Sequence, residues 1–222
     1  MAATDDLIEQ LTACHRNGTR LRAADWAHAV QGEADAYAVQ DGVARALGWR
    51  FDRWKSGGAS RQGPFSHSPV NPVVGQTLLG IEAEIALRID QAGAPEAMCI
   101  AVECVASRWE EGLAALDLLR MADHQSNAGL LLGPWQPFRP LDWAQLEWRL
   151  AIPGQPDIVR RGGHSLADPA AVLPAWLRHV GTVAAGTVVT TGAWGCLHAL
   201  AGEARGTLAF EGLGEFSFSA AA

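Results

Sequence analysis

One run of sequence, Leu79–Ile89, restricts the fold of this chain more than any other. Ile81, Ala83, Ile85, Leu87 and Ile89 occupy every second position, and Glu82 and Glu84 fall between them. A period of two is that of a β-strand with one buried face. At a rise of about 3.3 Å per residue the two carboxylates share the other face roughly 7 Å apart. A second apolar run, Met98–Val105, carries Glu103 among Ile100, Ala101, Val102, Cys104 and Val105. Carboxylates gathered in this way repel, and burying them is expensive unless something positive compensates. Three of them converging in a cleft suit a hard divalent cation whose remaining coordination positions can take substrate oxygens. Without a cation, Glu103 needs a basic partner, for which Arg88 or Arg108 is available.

Composition narrows the classes. A chain of 222 residues that is 49% hydrophobic and 18% charged can bury one sizeable core. A formal charge of −7 with no basic stripe argues against a nucleic-acid partner. The acidic start, Met1-Ala-Ala-Thr-Asp-Asp-Leu7, lacks the features of a signal peptide, and no apolar stretch reaches membrane-span length, so a cytoplasmic location is expected. Cys14, Cys99, Cys104 and Cys196 have no zinc-site spacing.

Periodicity predicts helices over Thr4–His15 and Glu33–Leu47. The pattern Ser107-Arg-Trp-Glu110 reads as a capping box opening a helix to about Met121. Asp168-Pro169 opens another, to Val180, with Gly181 as its cap. Ser56–Gly75, rich in Gly, Ser and Pro, reads as a long loop. Strands are expected at Leu79–Ile89, Met98–Val105, Ala128–Leu132, Gln145–Ile152, Gly186–Thr191, Gly206–Phe210 and Glu215–Phe218. Many strands with few helices between them indicate an α+β fold around a rolled or sandwiched sheet.

The order of motifs resembles the fumarylacetoacetate hydrolase superfamily, in its 2-keto-4-pentenoate hydratase and 4-oxalocrotonate decarboxylase branch. The matching pieces are Ala36-Tyr-Ala-Val-Gln40, Gly48-Trp49 with Trp54-Lys55-Ser56, Gly80-Ile-Glu-Ala-Glu-Ile85, Val102-Glu103, Ala122-Asp-His-Gln-Ser-Asn-Ala-Gly129, Gly163-His-Ser165 with Asp168-Pro169, Val189-Thr-Thr-Gly192 and Phe210-Glu-Gly-Leu-Gly214. Singly these are weak; in order over nearly the whole chain they are specific. The resemblance implies a mixed β-sandwich roll forming a single catalytic domain over 1–222. Its parts would be a helical N-terminal region (1–50), an active-site loop (51–78) and a β-roll metal-binding core (79–222). It implies Mg²⁺ or Mn²⁺ held by Glu82, Glu84 and Glu103, and at least a homodimer.

The chemistry so implied is that of a lyase, most simply a hydratase of aromatic meta-cleavage catabolism. It would act on a 2-hydroxy-2,4-dienoate or 2-oxo acid through a metal-chelated enolate. The alternatives on the same scaffold are a 2-oxo acid decarboxylase, an acylpyruvate-type C–C hydrolase, or a non-catalytic partner subunit that binds metal and a 2-oxo acid. The resemblance gives Lys55, the chain's one lysine beside sixteen arginines, a role in moving protons or anchoring substrate. It turns Asp123 and its neighbours, Gln125 among them, toward the metal pocket to orient water or substrate. The Thr191 hydroxyl and Gly192 amide would hold a substrate carboxylate, and His164 would be a structural turn residue. One departure stands out. Hydratases of the branch carry an acidic element after the lysine, whereas Gly57–Ser68 contains no acid and His67 is its one possible base.

Overall fold

A computed structural model describes residues 2–70, 77–200 and 204–220. Two helices lead, α1 (Ala2–Asn17) and α2 (Glu33–Ala46). They pack Leu7 and Leu11 against Ala36, Val39 and Val43 and share a core with Trp109 and Leu119. Then come β1 (Arg53–Gly58), β2 (Phe65–Pro69), β3 (Gly80–Ile89), β4 (Pro95–Val105), α3 (Asp117–Ala122), β5 (Asn127–Leu132) and β6 (Gln136–Pro137). The chain continues with β7 (Glu147–Ala151), β8 (Ile158–Arg161), α4 (Leu173–Val180), β9 (Thr187–Thr190), β10 (His198–Ala199), β11 (Ala204–Phe210) and β12 (Gly214–Ala220).

The larger sheet runs β2-β1-β9-β3-β4-β5, with β10 joined to β3 and β6 to β4; the smaller runs β12-β11-β7-β8. The β1–β9 pair is parallel and β3 is antiparallel to both its long neighbours, so the larger sheet is mixed. The apolar face of β3 decides how the sheets meet. Ile81, Ile85, Leu87 and Ile89 are at most 1% exposed and pack with Trp148, Leu150, Leu208 and Phe210 of the smaller sheet. Burial of each such side chain contributes roughly 2 kcal/mol. With that face fixed inside, alternation turns Glu82 and Glu84 to the other side. Among the described residues no helix is long and apolar enough to cross a membrane.

Three expectations change. The stretch Ser56–Gly75 is not one long loop: within it lie the end of β1 and all of β2, an antiparallel hairpin, while residues 71–76 lie outside the described residues. The capping-box pattern at Ser107 opens no helix. The Arg108 carbonyl accepts the Leu21 amide at 2.9 Å and the Glu110 amide donates to the Leu21 carbonyl at 2.8 Å, so the backbone is engaged by another segment. A 3₁₀ turn follows at Gly112–Ala114 and α-helix starts only at Asp117. The predicted helix after Asp168 begins as a 3₁₀ turn over Pro169–Val172, with Asp168 accepting from the Ala170 amide at 2.9 Å. Pro174 sits in the first turn of α4, where no amide is needed.

Candidate metal centre

The register of β3 on β4 sets Glu82 directly opposite Glu103, and Glu84 opposite Ala101. Each glutamate offers one oxygen, and the three oxygens lie within 4.8 Å of one another. Glu84 and Glu103 are fully buried. Among the described residues neither oxygen of Glu84 has a hydrogen-bond partner, nor does Oε2 of Glu103. Burial first, then the charges of Glu103 and Glu82, push the Glu84 carboxyl well above the usual carboxylate range. Burial also raises Glu82, with Lys55 opposing. Buried, unclaimed carboxylate oxygens without a sulfur or imidazole among them fit Mg²⁺ or Mn²⁺, which prefer oxygen ligands.

Lys55 supplies the positive charge that the carboxylates have. Its Nζ donates to Glu103 Oε1 at 2.6 Å and to the Gln125 carbonyl at 3.2 Å. Burial alone would lower the ammonium, but Glu103, Glu82 and Glu84 more than offset it and hold the group above the ordinary lysine value. The same oxygen of Glu103 accepts from Asn127 Nδ2 at 3.1 Å, which leaves Oε2 as the free oxygen of that carboxylate.

The segment that delivers Gln125 and Asn127 is unusual. His124, Gln125 and Ser126 have φ of 49°, 54° and 61°, three consecutive non-glycine residues in left-handed conformation. Each such residue is disfavoured by roughly 1–3 kcal/mol and persists only where its surroundings enforce it. Both ends of this turn are held by Arg108. Its Nε bonds Asp123 Oδ1, its Nη2 donates to the Asp123 carbonyl at 2.9 Å and its Nη1 to the Asn127 carbonyl at 3.0 Å.

A cavity of about 360 Å³ opens over the cluster, with Lys55, Glu82 and Ser66 on the sheet side and Arg120, Met121 and Gln125 opposite. Arg120 Nε and Gln125 Nε2, on residues that line it, are buried without a partner among the described residues. Arg120 otherwise pairs with Asp117 at 2.5 Å, at the solvent edge where Asp117 is 91% exposed.

No protein-family model and no curated protein matches the sequence. Solved structures do match the fold. 4-Oxalocrotonate decarboxylase from Pseudomonas putida G7, complexed with magnesium and adipate, aligns over 96% of this chain and 95% of its own at 20% identity, with a TM-score of 0.78. A 2-keto-3-deoxy-D-arabinonate dehydratase complexed with magnesium and 2,5-dioxopentanoate aligns over 76% and 72% at 15% identity, with a TM-score of 0.55. The 5-carboxymethyl-2-hydroxymuconate delta-isomerase from Mycobacterium smegmatis aligns over 74% and 76% at 19% identity, with a TM-score of 0.51. The chain has the fumarylacetoacetate hydrolase fold.

Within that fold the residues singled out from sequence separate into two groups. Lys55, Glu82 and Gln125 line one cavity, and the buried Glu84 and Glu103 each bring an oxygen within 4.8 Å of one on Glu82. His67 is not among them. It lies opposite Ser56, not Lys55, in the β1–β2 hairpin, so it points to the other face. There its Nδ1 meets Ser56 Oγ at 2.7 Å and its ring lies 5.0 Å from that of His179, tilted by 35°. Asp123 is also turned away, fully buried against Arg108, whose main-chain amide it accepts at 2.9 Å. Arg108 therefore partners Asp123, and the partner of Glu103 is Lys55.

Thr191 is displaced by one position from the useful face. Its hydroxyl donates to the Ile85 carbonyl at 2.9 Å, tying the end of β9 to β3, and its own carbonyl meets His164 Nε2 at 2.9 Å. Gly192, at φ 102°, follows in a conformation that favours glycine, its backbone against Gly57. The residue on the glutamate face is Thr190, paired with Ala86. Its buried hydroxyl lies beside Glu84 but outside hydrogen-bond geometry. The signal for Thr190 was present in the sequence as register parity, because Ala86 shares the face of Glu82 and Glu84.

Proposed function

We propose that this protein is a divalent-metal-dependent lyase for a 2-oxo acid, and that its reaction is decarboxylation in preference to hydration. The observation that carries the lyase reading is the set of buried, unpartnered oxygens of Glu84 and Glu103 beside Glu82 and Lys55. When bound there, Mg²⁺ or Mn²⁺ supplies Lewis-acid stabilisation of the negative charge that develops on the substrate's oxygens. The chain's own part is to hold the acid in a walled cavity and to move one proton. Lys55 faces that cavity as an ammonium, oriented by Glu103 and the Gln125 carbonyl, so it is set to give a proton to the carbon that loses carbon dioxide.

Hydration needs a further base to activate water. His67 lies on the opposite face and Asp123 is locked to Arg108. Asp117, which lines the cavity, is highly exposed and tied to Arg120. Decarboxylation needs no such base. The magnesium-bound decarboxylase whose fold aligns over 96% of this chain supports the same choice, and its adipate is a dicarboxylate.

The test is to supply 4-oxalocrotonate and, separately, 2-hydroxypenta-2,4-dienoate, each with and without Mg²⁺. The expected result is metal-dependent carbon dioxide release from the first and no loss of the ultraviolet dienol band of the second. The reverse pattern makes the protein a hydratase. Binding of Mg²⁺ and oxalate without turnover of either acid makes it a non-catalytic subunit.

The cavity also suggests how the far end of a diacid is met. Arg120 presents a buried Nε without a partner, and its link to Asp117 at the surface is of the weak, screened kind. Arg120→Leu is expected to raise KM for a six-carbon 2-oxo diacid by about tenfold to a hundredfold, the worth of one charged hydrogen-bonded contact. Its effect on a 2-oxo monoacid should be small. Equal changes for both acids would remove Arg120 from substrate recognition.

A further inference from the structure

Behind the carboxylate cluster, and outside the cavity, lies a fully buried ion pair that the chemistry above does not use. Arg108 and Asp123 are each 0% exposed. The guanidinium of Arg108 reaches both ends of the left-handed turn: the carboxylate and carbonyl of Asp123 on one side and the carbonyl of Asn127 on the other. The turn between them is closed by the Ser126 amide on the Asp123 carbonyl at 2.9 Å, and the Ser126 carbonyl takes the Ala106 amide at 2.9 Å. Two groups leave this turn toward the carboxylates. The Gln125 carbonyl takes Lys55 Nζ, and the Asn127 amide donates to Glu103 Oε1.

We propose that Arg108 is a positioning residue: by bridging Asp123 and the Asn127 carbonyl it holds the left-handed turn shut, and the turn in turn fixes the orientation of Glu103 and Lys55. A planar, forked cation can reach two acceptors on opposite sides of a turn at once, which a lysine ammonium on a flexible stem does not reproduce. Three left-handed residues in succession would relax if one end were released. Relaxation would move the Asn127 amide off Glu103 Oε1 and free that carboxylate to rotate. The inference rests on the metal-dependent reading above, since it assigns the ion pair to the upkeep of metal-facing groups. Outer-shell partners of this kind are worth about tenfold to a hundredfold in metal affinity.

The experiment is Mn²⁺ titration followed by electron paramagnetic resonance, on the wild type, Arg108→Lys, Asn127→Ala and the double variant Arg108→Lys/Ser126→Gly. Each is assayed well below its melting temperature, determined by circular dichroism. Arg108→Lys and Asn127→Ala are expected to bind Mn²⁺ about tenfold to a hundredfold more weakly while folded. Glycine at 126 removes the steric objection to the left-handed conformation, so the double variant should recover most of the affinity that Arg108→Lys loses. A general structural role would lower the melting temperatures and leave the affinities alone, and that result overturns the proposal. So does a loss of affinity that glycine fails to restore, which would assign the effect to charge and not to the turn. Should Arg108→Lys melt too early to be read, Asn127→Ala still tests the turn's hold on Glu103 with the Arg108 bridge to the main chain intact, and an unchanged affinity there overturns the proposal. A wild type that binds no Mn²⁺ overturns the metal-dependent reading itself; a wild type that binds it as tightly as folded variants do overturns the positioning role alone.

Discussion

Glu84→Gln is expected to move activity and stability in opposite directions. Glu84 is fully buried, both its oxygens lack partners, and burial together with Glu103 and Glu82 pushes its carboxyl well above the ordinary range. In the metal-free protein such a group destabilises the fold, since a buried charge or unmet polar atom is unfavourable by about 1–3 kcal/mol or more. Glutamine keeps the shape and removes the charge. Metal-free Glu84→Gln should therefore be about 2 kcal/mol more stable than the wild type, a rise in Tm of about 4–8 °C for a chain of this size. Activity with saturating Mg²⁺ should fall about a thousandfold, because Lewis-acid stabilisation is worth several kcal/mol and a two-carboxylate site holds the ion poorly. Thermal melts after exhaustive chelation, beside calorimetric Mg²⁺ titration, read both effects. A variant that melts no higher than the wild type, or still binds the ion as tightly, would show that Glu84 is an ordinary buried carboxyl.

That opposition explains which parts of the site were legible in the sequence. A strand that alternates Ile81, Ala83, Ile85 and Leu87 with acids advertises its two faces, and an acid inside an apolar strand such as Glu103 advertises an unmet need; both signals are local. So is the isolation of Lys55 as the chain's one lysine. The misplacements came from contacts between distant segments. His67 and Lys55 sit on one hairpin, and only its register decides that they point apart. Asp123 was assigned to the pocket by its place in a motif, but Arg108, fifteen residues earlier, claims it. Thr191 is drawn away by the Ile85 carbonyl of β3, and only the pairing of Thr190 with Ala86 shows which threonine shares the glutamate face. The lost helix at Ser107 has the same cause, since Leu21 takes the backbone that a capping box would have used. Local periodicity carried the strands and the acids, and tertiary partners decided the rest.

Acidification from pH 6.5 to pH 4 is expected to remove a large part of the stability of this fold. His67 and His124 are buried, at 4% and 0% exposure. Burial, followed by the nearby His179 and Arg178, lowers His67 from 6.5 to about 4. Burial, followed by Arg108, lowers His124 to about 3, against the Gln40 carbonyl that takes its Nε2 proton. Both rings are thus neutral in the folded chain at neutral pH. The sign follows from which state takes up protons first. With the folded values below the unfolded one, the unfolded chain protonates first, so the folded state is fully favoured above pH 6.5 and loses ground as pH falls through the window to about 4 for His67 and about 3 for His124. At pH 4 each ring accounts for about 3 kcal/mol, against roughly 5–15 kcal/mol for the whole of a typical domain. Urea unfolding of the metal-free protein at pH 7, 5.5 and 4 should show this steep decline. His67→Asn should flatten it by about one proton, because asparagine can still meet Ser56 Oγ and has nothing to titrate. Because the raised Glu82 and Glu84 carboxyls gain stability as pH falls, the difference between the two proteins is the decisive reading: an unchanged slope in His67→Asn would mean that the His67 ring protonates inside the folded chain without penalty.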